Sequence, residues 1–551
     1  MAGSNRWFVD RCRTVHSSSG RVGPCAQFCE RWTRFVASRH RASFQVFHRQ
    51  TRGGAIHTIG GRSGFIPGRS RRIAGRSCDR DRCQDVCVIR RCNPPDSGRG
   101  ASSEMLRSVL ESLLSSLKSG ARAILEQPLA FLAIHGLNRV VFAAGRVKRQ
   151  SGIGHRGDRR QGGRVLIVAP PGGGNIGDQA LVESAVWNAS GPVTLVVRSV
   201  NDFQIPDWLN PLDVDVVPLP ELIYGLGAGH MRDVFELGTH AHGMSRVMLV
   251  GADIMDGNYN LVASLNRWSV TGLFGRASVP AAVLGFSWSD RARPSCVTAA
   301  RTVNKHADLW LRDPVSLSRM VSAGVADGAG LCADIVFAHP APDLAASYRT
   351  LPAEIRDFVT AEVEFVVLNM SGLVGSDADL IGHYVRVVER LRSAGISIIL
   401  LPHVVRATKS DNVYLRDLAA RFDDPGIILV NDLLTPSQVY EVCRGGLMVL
   451  TGRMHLAVLA SLSGTPSSTL STQGKVAGLY EHLRSPDGAI EVDSDVSRIF
   501  FERLEKVVDQ TGGVSPELRR HLKELALKAF ILPPFRSDTS EPVHSVHERA
   551  S

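Results

Sequence analysis

From Val165 to Leu470 the sequence alternates short, continuously apolar runs with longer segments of helical period, and this alternation limits the fold more than any single residue does. Val165 to Val168, Val193 to Val197, Val214 to Val217, Val247 to Val250, Pro280 to Leu284 and Leu309 to Leu311 read as strands. After a loose join near Pro340 to Leu351 the pattern restarts with Phe365 to Leu368, Ile396 to Leu401, Ile427 to Val430, Met448 to Leu450 and Ser467 to Leu470. Strands that are apolar throughout and separated by helices belong to parallel sheets covered on both faces. The expectation is an α/β protein of two Rossmann-like domains facing a cleft, residues 164–338 and 352–533. Helices at Val496 to Val508 and Pro516 to Phe530 are expected to close the second, and 534–551 reads as a polar tail.

The part upstream differs in kind. The chain carries a formal charge of +11, but residues 1–100 hold 20 arginines, no lysine and 6 acidic residues, which leaves the remainder at −3. The basicity therefore marks one segment and gives no ground for nucleic-acid binding by the body of the protein. This segment has no sustained period of 2 or 3.6 and reads, over 1–104, as a disordered Arg/Cys-rich arm or as residues upstream of the natural start. Its Cys78, Cys83, Cys87 and Cys92 lack the paired spacing of a zinc ribbon. Beyond it only Cys296, Cys332 and Cys443 occur, a usage that points to a reducing compartment and a cytoplasmic location.

Residues 105–150 are expected to be helical. Leu106, Val109, Leu110, Leu113, Leu114 and Leu117 make one apolar stripe; Ile124, Leu125, Leu129, Phe131 and Leu132 belong to a second helix. Val140 to Ala144, followed by Arg146, Lys148 and Arg149, would let this extension pack on the main body or rest on the inner face of an anionic membrane. No run reaches the roughly 18 to 20 apolar residues that span a bilayer. Residues 151–163 read as a polar linker.

Two places carry chemistry. Gly172, Gly174 and Gly177 satisfy G-x-G-x-x-G between a strand and a helix, formally a dinucleotide fingerprint. An acid is expected about 20 residues further on in such a site, whereas Val197 is followed by Arg198, and Asp178 would repel a pyrophosphate at the helix start. A capping or hydroxyl-binding role for Asp178, or a tight turn without a ligand, fits better. The second place is Gly446 to Pro466, where a buried strand ends in Arg453 and His455 and turns into a helix. A cation, an imidazole and a helix N-terminus at a strand's carboxyl end can bind an anion and move a proton; a surface ion pair and a satisfied histidine are the plain alternative.

GGGNIGDQALVESA at 172–185, LRDPVSLSRMVSAG at 311–324, CADIVF at 332–337, LPH at 401–403 and TGRMHLAVLASLSGTPS at 451–467 together resemble the polysaccharide pyruvyl transferase family over roughly 165–485. The resemblance implies a GT-B-like fold and transfer of pyruvate from phosphoenolpyruvate to hydroxyls of a glycan or lipid-linked saccharide, as a ketal, without metal or further cofactor. It puts Arg453 and His455 on the donor, with Arg312, Asn175, Gly177 and Lys475 as further candidate substrate-binding residues; His403, by its position at a sheet edge alone, is another, a structural role being the alternative. Gly251-Ala252-Asp253 stands where the family often has a glycine triplet, and Thr472 to Lys475 only loosely matches a tyrosine-and-lysine segment.

Phosphoenolpyruvate joins a phosphate to a carboxylate, and guanidinium groups suit both. Adding a hydroxyl to its enol carbon needs a proton on the methylene carbon and a base on the hydroxyl, which makes His455 the candidate acid and Asp178 the candidate base. Asp253, Asp256, Asn258 and Asn260 would bind sugar hydroxyls or form an Asx-rich turn. Asn369 and Ser371 share the position of His403 at a sheet edge, and Asp411 is expected to face solvent or cap its helix. His230, His240 and His242 are too irregularly spaced for a metal site. A GT-B glycosyltransferase using a nucleotide sugar and a catalytically silent glycan-binding relative are the rival readings.

Overall fold

The computed structural model describes residues 120, 122–151, 163–325, 328–360, 363–372, 378–407, 410–471, 475–510 and 513–531. The arm at 1–104, its cysteines, the stripe at 106–117, most of the 151–163 linker, residues 472–474 and the tail lie outside them.

In chain order the helices are α1 (Pro128–Ser151), α2 (Ile176–Trp187), α3 (Ala228–His240), α4 (Leu261–Arg276), α5 (Pro294–Val303), α6 (Pro314–Ser322), α7 (Ala353–Thr360) and α8 (Ala378–Ser393). They continue as α9 (Asp411–Ala419), α10 (Pro436–Gly445), α11 (Met454–Ser463), α12 (Lys475–His482), α13 (Val496–Gln510) and α14 (Pro516–Leu527). The strands of the first domain are β1 (Arg164–Val168), β2 (Val193–Val197), β3 (Val214–Pro218), β4 (Met244–Ala252), β5 (Ala281–Phe286), β6 (Asp308–Leu311) and β7 (Ala329–Leu331). The second has β8 (Phe365–Asn369), β9 (Ser397–Leu400), β10 (Ile427–Leu429), β11 (Met448–Thr451), β12 (Ser467–Ser471) and β13 (Ala489–Glu491).

These strands form a seven-stranded sheet in the order β3-β2-β1-β4-β5-β6-β7 and a six-stranded sheet in the order β10-β9-β8-β11-β12-β13. Every pairing is parallel, as in β1 with β4 and β8 with β11, so two Rossmann-like domains are present. The order reverses between β1 and β4 in the first sheet and between β8 and β11 in the second, and crevices outside the strands' carboxyl ends at such points are where ligands bind. The apolar runs recognised in the sequence all become strands. The edge strands β7, Ala329–Leu331, and β13, Ala489–Glu491, were not expected: they lack the run of β-branched residues that marks the equally short β10.

The helical extension differs from expectation in one respect: α1 begins only at Pro128, after a turn at 126–127, so Ile124 and Leu125 precede it, and it then runs unbroken for 24 residues through Gly136 and Gly145. Its stretch Pro128–Lys148 has the length and composition to cross a membrane. The last helix also does more than close the second domain. Arg519 reaches Leu462 O on α11 at 3.4 Å, while Arg246 of β4 donates through Nη2 to Ala529 O at 3.2 Å and through Nη1 to Phe530 O at 2.5 Å. α14 and the short turn Lys528–Phe530 after it thus touch both domains.

Candidate active site

Each candidate residue stands just beyond a strand. Gly172 to Asn175 follow β1 and turn into α2. Asn175 caps that helix, its Oδ1 accepting from Gly177 N at 2.9 Å. Across the cleft, Arg453 takes the N-cap position of α11 after β11, which places His455 in that helix's first turn. α11 is apolar all round: Leu456, Ala457, Val458, Leu459 and Ala460 are fully buried, each large side chain contributing about 1.5–3 kcal/mol. The helix cannot roll without exposing part of that core, and His455 is aimed accordingly.

The two halves meet directly at this point. Ile176 N donates to His403 O at 3.1 Å and Val405 N to Gly174 O at 2.8 Å, an antiparallel bridge between the glycine-rich loop and the loop after β9. Arg406 reinforces it from the second domain, donating to Gly173 O at 2.6 Å and to Asp178 Oδ2 at 3.2 Å. His455 lies against Gly177, whose missing Cβ leaves room for the imidazole.

Three polar clusters organise the cleft. In the first, Asp334 Oδ2 stands 3.4 Å from His455 Nε2, at ion-pair distance though outside hydrogen-bond geometry, and accepts from Arg312 Nη1 at 3.1 Å. Arg312 is also bonded to Ser287 Oγ at 2.7 Å and paired with Asp253. Burial alone would raise the Asp334 carboxyl, but His455 and Arg312 outweigh it and hold Asp334 below the ordinary carboxylate range. The expected anion ligand Arg312 is therefore engaged by two carboxylates, and it buttresses Asp334 and, through it, His455.

In the second cluster Arg453 bonds the carboxylate of Asp411 at 2.6 and 3.4 Å. Asp411 is fully buried and also accepts from His403 N, Val404 N, Gly372 N and Asn369 Nδ2 at 2.9–3.1 Å. This corrects the expectation of a solvent-facing or capping residue: the cap of α9 is Ser410, and the Asp411 carboxylate collects the donors that the ends of β8, β9 and β11 bring together.

The third cluster holds the titrating groups. Burial raises the Asp178 carboxyl above its ordinary range, although Arg406, His455 and a hydrogen bond with Asn175 pull the other way. His403 is buried with neither ring nitrogen hydrogen-bonded, and burial, followed by the charges of His455 and Arg453, drives its pKa well below 6.5. It is a neutral imidazole beside both candidate donor contacts. Lys475 opens α12, and its side chain lies outside the described residues.

Asp334, Asp411 and Arg406 were not assigned to the site from sequence. An acid just after a strand at the sheet's carboxyl edge was the available signal for Asp334; nothing local marks Arg406. In the acid and amide group after β4, Asp256 accepts from Asn258 and Asn260 caps α4, while Asp253, Asp256 and Asn258 also face a cavity. That cavity, of about 450 Å³, shares Asp253 and Ser287 with the Arg312 cluster and is lined further by Tyr259, Trp288, Asp290 and Arg319.

The polysaccharide pyruvyl transferase family model matches residues 80–474, beginning inside the Arg/Cys-rich segment and ending one residue before Lys475. No curated protein matches the sequence. Among solved structures, the UDP-GlcNAc 2-epimerase of Methanocaldococcus jannaschii in complex with UDP-GlcNAc and UDP is 10% identical with a TM-score of 0.42, over 66% of this chain and 98% of that one. The UDP-GlcNAc 2-epimerase of Neisseria meningitidis bound to UDP-GlcNAc is 9% identical with a TM-score of 0.40, over 67% and 97%.

Proposed function

The chain belongs to the polysaccharide pyruvyl transferase family, and from that premise we propose that it moves pyruvate from phosphoenolpyruvate to two hydroxyls of a glycan or lipid-linked saccharide, forming a ketal. The observation that carries this reading is the meeting of Asp178 and His455 from opposite domains at one point, with Arg453 and the neutral His403 beside them. A phosphate and a carboxylate need cations and donors on one side, and an enol needs an acid and a base on two faces.

In this reading Arg453, His403 and Lys475 hold the donor anions. His455, protonated, gives its proton to the methylene carbon as the first acceptor hydroxyl attacks the enol carbon and loses its proton to Asp178. Phosphate then departs with the proton that Asp178 took up, leaving an oxocarbenium-like centre. The second hydroxyl closes on that centre and returns a proton to His455, which restores both groups. Asp334, backed by Arg312, keeps the imidazole oriented. Acceptor sugars are assigned to the cavity lined by Tyr259 and Trp288, whose aromatic and polar groups suit a saccharide. The donor is the only cofactor-like molecule required, and as a product of central metabolism it puts the reaction on the cytoplasmic side.

The test is release of inorganic phosphate from phosphoenolpyruvate in the presence of oligosaccharide acceptors, run beside release of UDP from UDP-sugars. Phosphate release that His455→Gln lowers by about 10² to 10⁴, with donor binding largely kept, is the expected result. Release of UDP instead would turn the reading toward a glycosyltransferase; binding of glycan with neither release would make the protein a silent relative.

A further inference from the structure

The inner face of α1 is fastened to the first domain. Phe131, His135, Asn138 and Phe142 are buried, with His135 Nδ1 and Asn138 Nδ2 reaching Ser269 Oγ at 3.1 and 3.0 Å. His230 Nε2 of α3 meets Asn138 Oδ1 at 3.1 Å. Gly145 and Gly238 let the two backbones touch: a Cβ on Gly145 would stand 2.1 Å from Phe235 O, and one on Gly238 2.4 Å from Phe142 O. A helix bound this way along one side cannot also cross a bilayer, whatever its length.

The outer face is of another kind. Leu129, Leu132, Leu137 and Val140 are 72%, 46%, 50% and 70% exposed, and Ala133, Ala143 and Ala144 are exposed between them. No aspartate or glutamate occurs anywhere in the helix. At about 100° per residue, Arg139 and Arg146 border one side of this apolar row and Lys148 the other. Lys148 is steadied over the Phe235 ring at 5.4 Å, which leaves its charge at that border.

We propose that α1 is a membrane-docking helix, lying in the interface of a bilayer with anionic headgroups while the rest of the protein stays in water. Apolar side chains flanked by cations, without acids, match the layered chemistry of such a surface, acyl boundary beneath phosphate. A protein partner would need hydrogen-bonding groups to fix its register, at about one per 100–200 Å² of interface, and this face offers almost none. Docking would hold the cleft beside a surface that presents lipid-borne acceptors, but it stands whether or not the proposed reaction does.

The experiment is co-sedimentation of the full chain with vesicles of phosphatidylcholine, alone or with about a third phosphatidylglycerol, at low and high salt. Binding through the arginines of residues 1–100 would fall away with salt and ignore α1. The expected result is binding to the anionic vesicles that persists in part at high salt, is weakened at least tenfold by Leu132→Asp with Val140→Asp, and is weakened more modestly by Arg139→Glu. The substituted side chains are solvent-exposed, and an unchanged thermal midpoint checks that the fold is kept. If the aspartates destabilise the chain, Arg139→Glu alone decides. Equal binding by wild type and variants, absence of wild-type binding, or a dimer that these substitutions dissociate would each overturn the proposal.

Discussion

Gly177 of α2 and His455 of α11 belong to different sheets and touch: a Cβ built on Gly177 would lie 2.5 Å from His455 Nδ1 and 2.8 Å from its Cβ and Cγ. Gly177 has an ordinary helical setting, so the glycine answers to its neighbour across the cleft and not to its own backbone. Gly177→Ala should displace the imidazole by up to about 1 Å and lower turnover by about 10²-fold, with the thermal midpoint little changed. Steady-state kinetics and a melting curve on one preparation check both halves of that statement.

Asp411 gathers four uncharged donors and the Arg453 guanidinium onto one buried carboxylate. Asp411→Ala leaves the Arg453 charge unpaired in a buried place and should cost about 3–5 kcal/mol of stability. Urea unfolding measures it. A loss below about 1 kcal/mol would mean that water replaces the carboxylate without penalty.

Asp178 sits above the ordinary carboxylate range because burial outweighs Arg406 and His455. As the proposed base it must be ionised, so the acid limb of kcat/KM is expected above the pH at which exposed aspartates titrate. Arg406→Ala removes a charge that favours the ionised form, which raises the pKa further and moves that limb to higher pH. An acid limb unmoved in this variant would separate Asp178 from the profile.

Stability should fall on the acid side for a separate reason. His403 and His135 are buried in neutral form, His403 well below 6.5 and His135 at about 4, both chiefly through burial. Their folded pKa values are depressed, so the stability they contribute is fully present above the unfolded value of 6.5 and is lost as pH falls. Each adds at most about 1.4 kcal/mol per pH unit, and the His135 part levels off near pH 4. Denaturation midpoints between pH 8 and 4 read the slope, and His135→Gln should flatten it.

The fold was legible because parallel strands buried on both faces are spelled in β-branched runs, and the strand ends then located Asp178, Arg312, His403, Arg453 and His455. What the sequence withheld is pairing across distance. Nothing local says that Arg312 is claimed by Asp253 and Asp334, that Asp411 turns inward, or that Arg406 crosses to the glycine loop, since each depends on the register of two sheets meeting. Within α1, Gly145 serves as a contact point for the backbone of α3, a pairing across distance that the local sequence does not spell.

The chain passes between the domains at 339–351 and returns with α14, and Lys523 of α14 pairs with Asp343 of the outward passage at 2.8 Å. Two bodies tied by a pair of adjacent straps are expected to move most readily by a swing about the line through the straps. Whatever opens this cleft to a substrate must therefore break the Gly174 to Val405 and Ile176 to His403 contacts together, and closing must remake them in register. The same swing would bring Asp178 and His455 back together, so that in the proposed mechanism assembly of the acid–base pair and closure of the cleft are a single event.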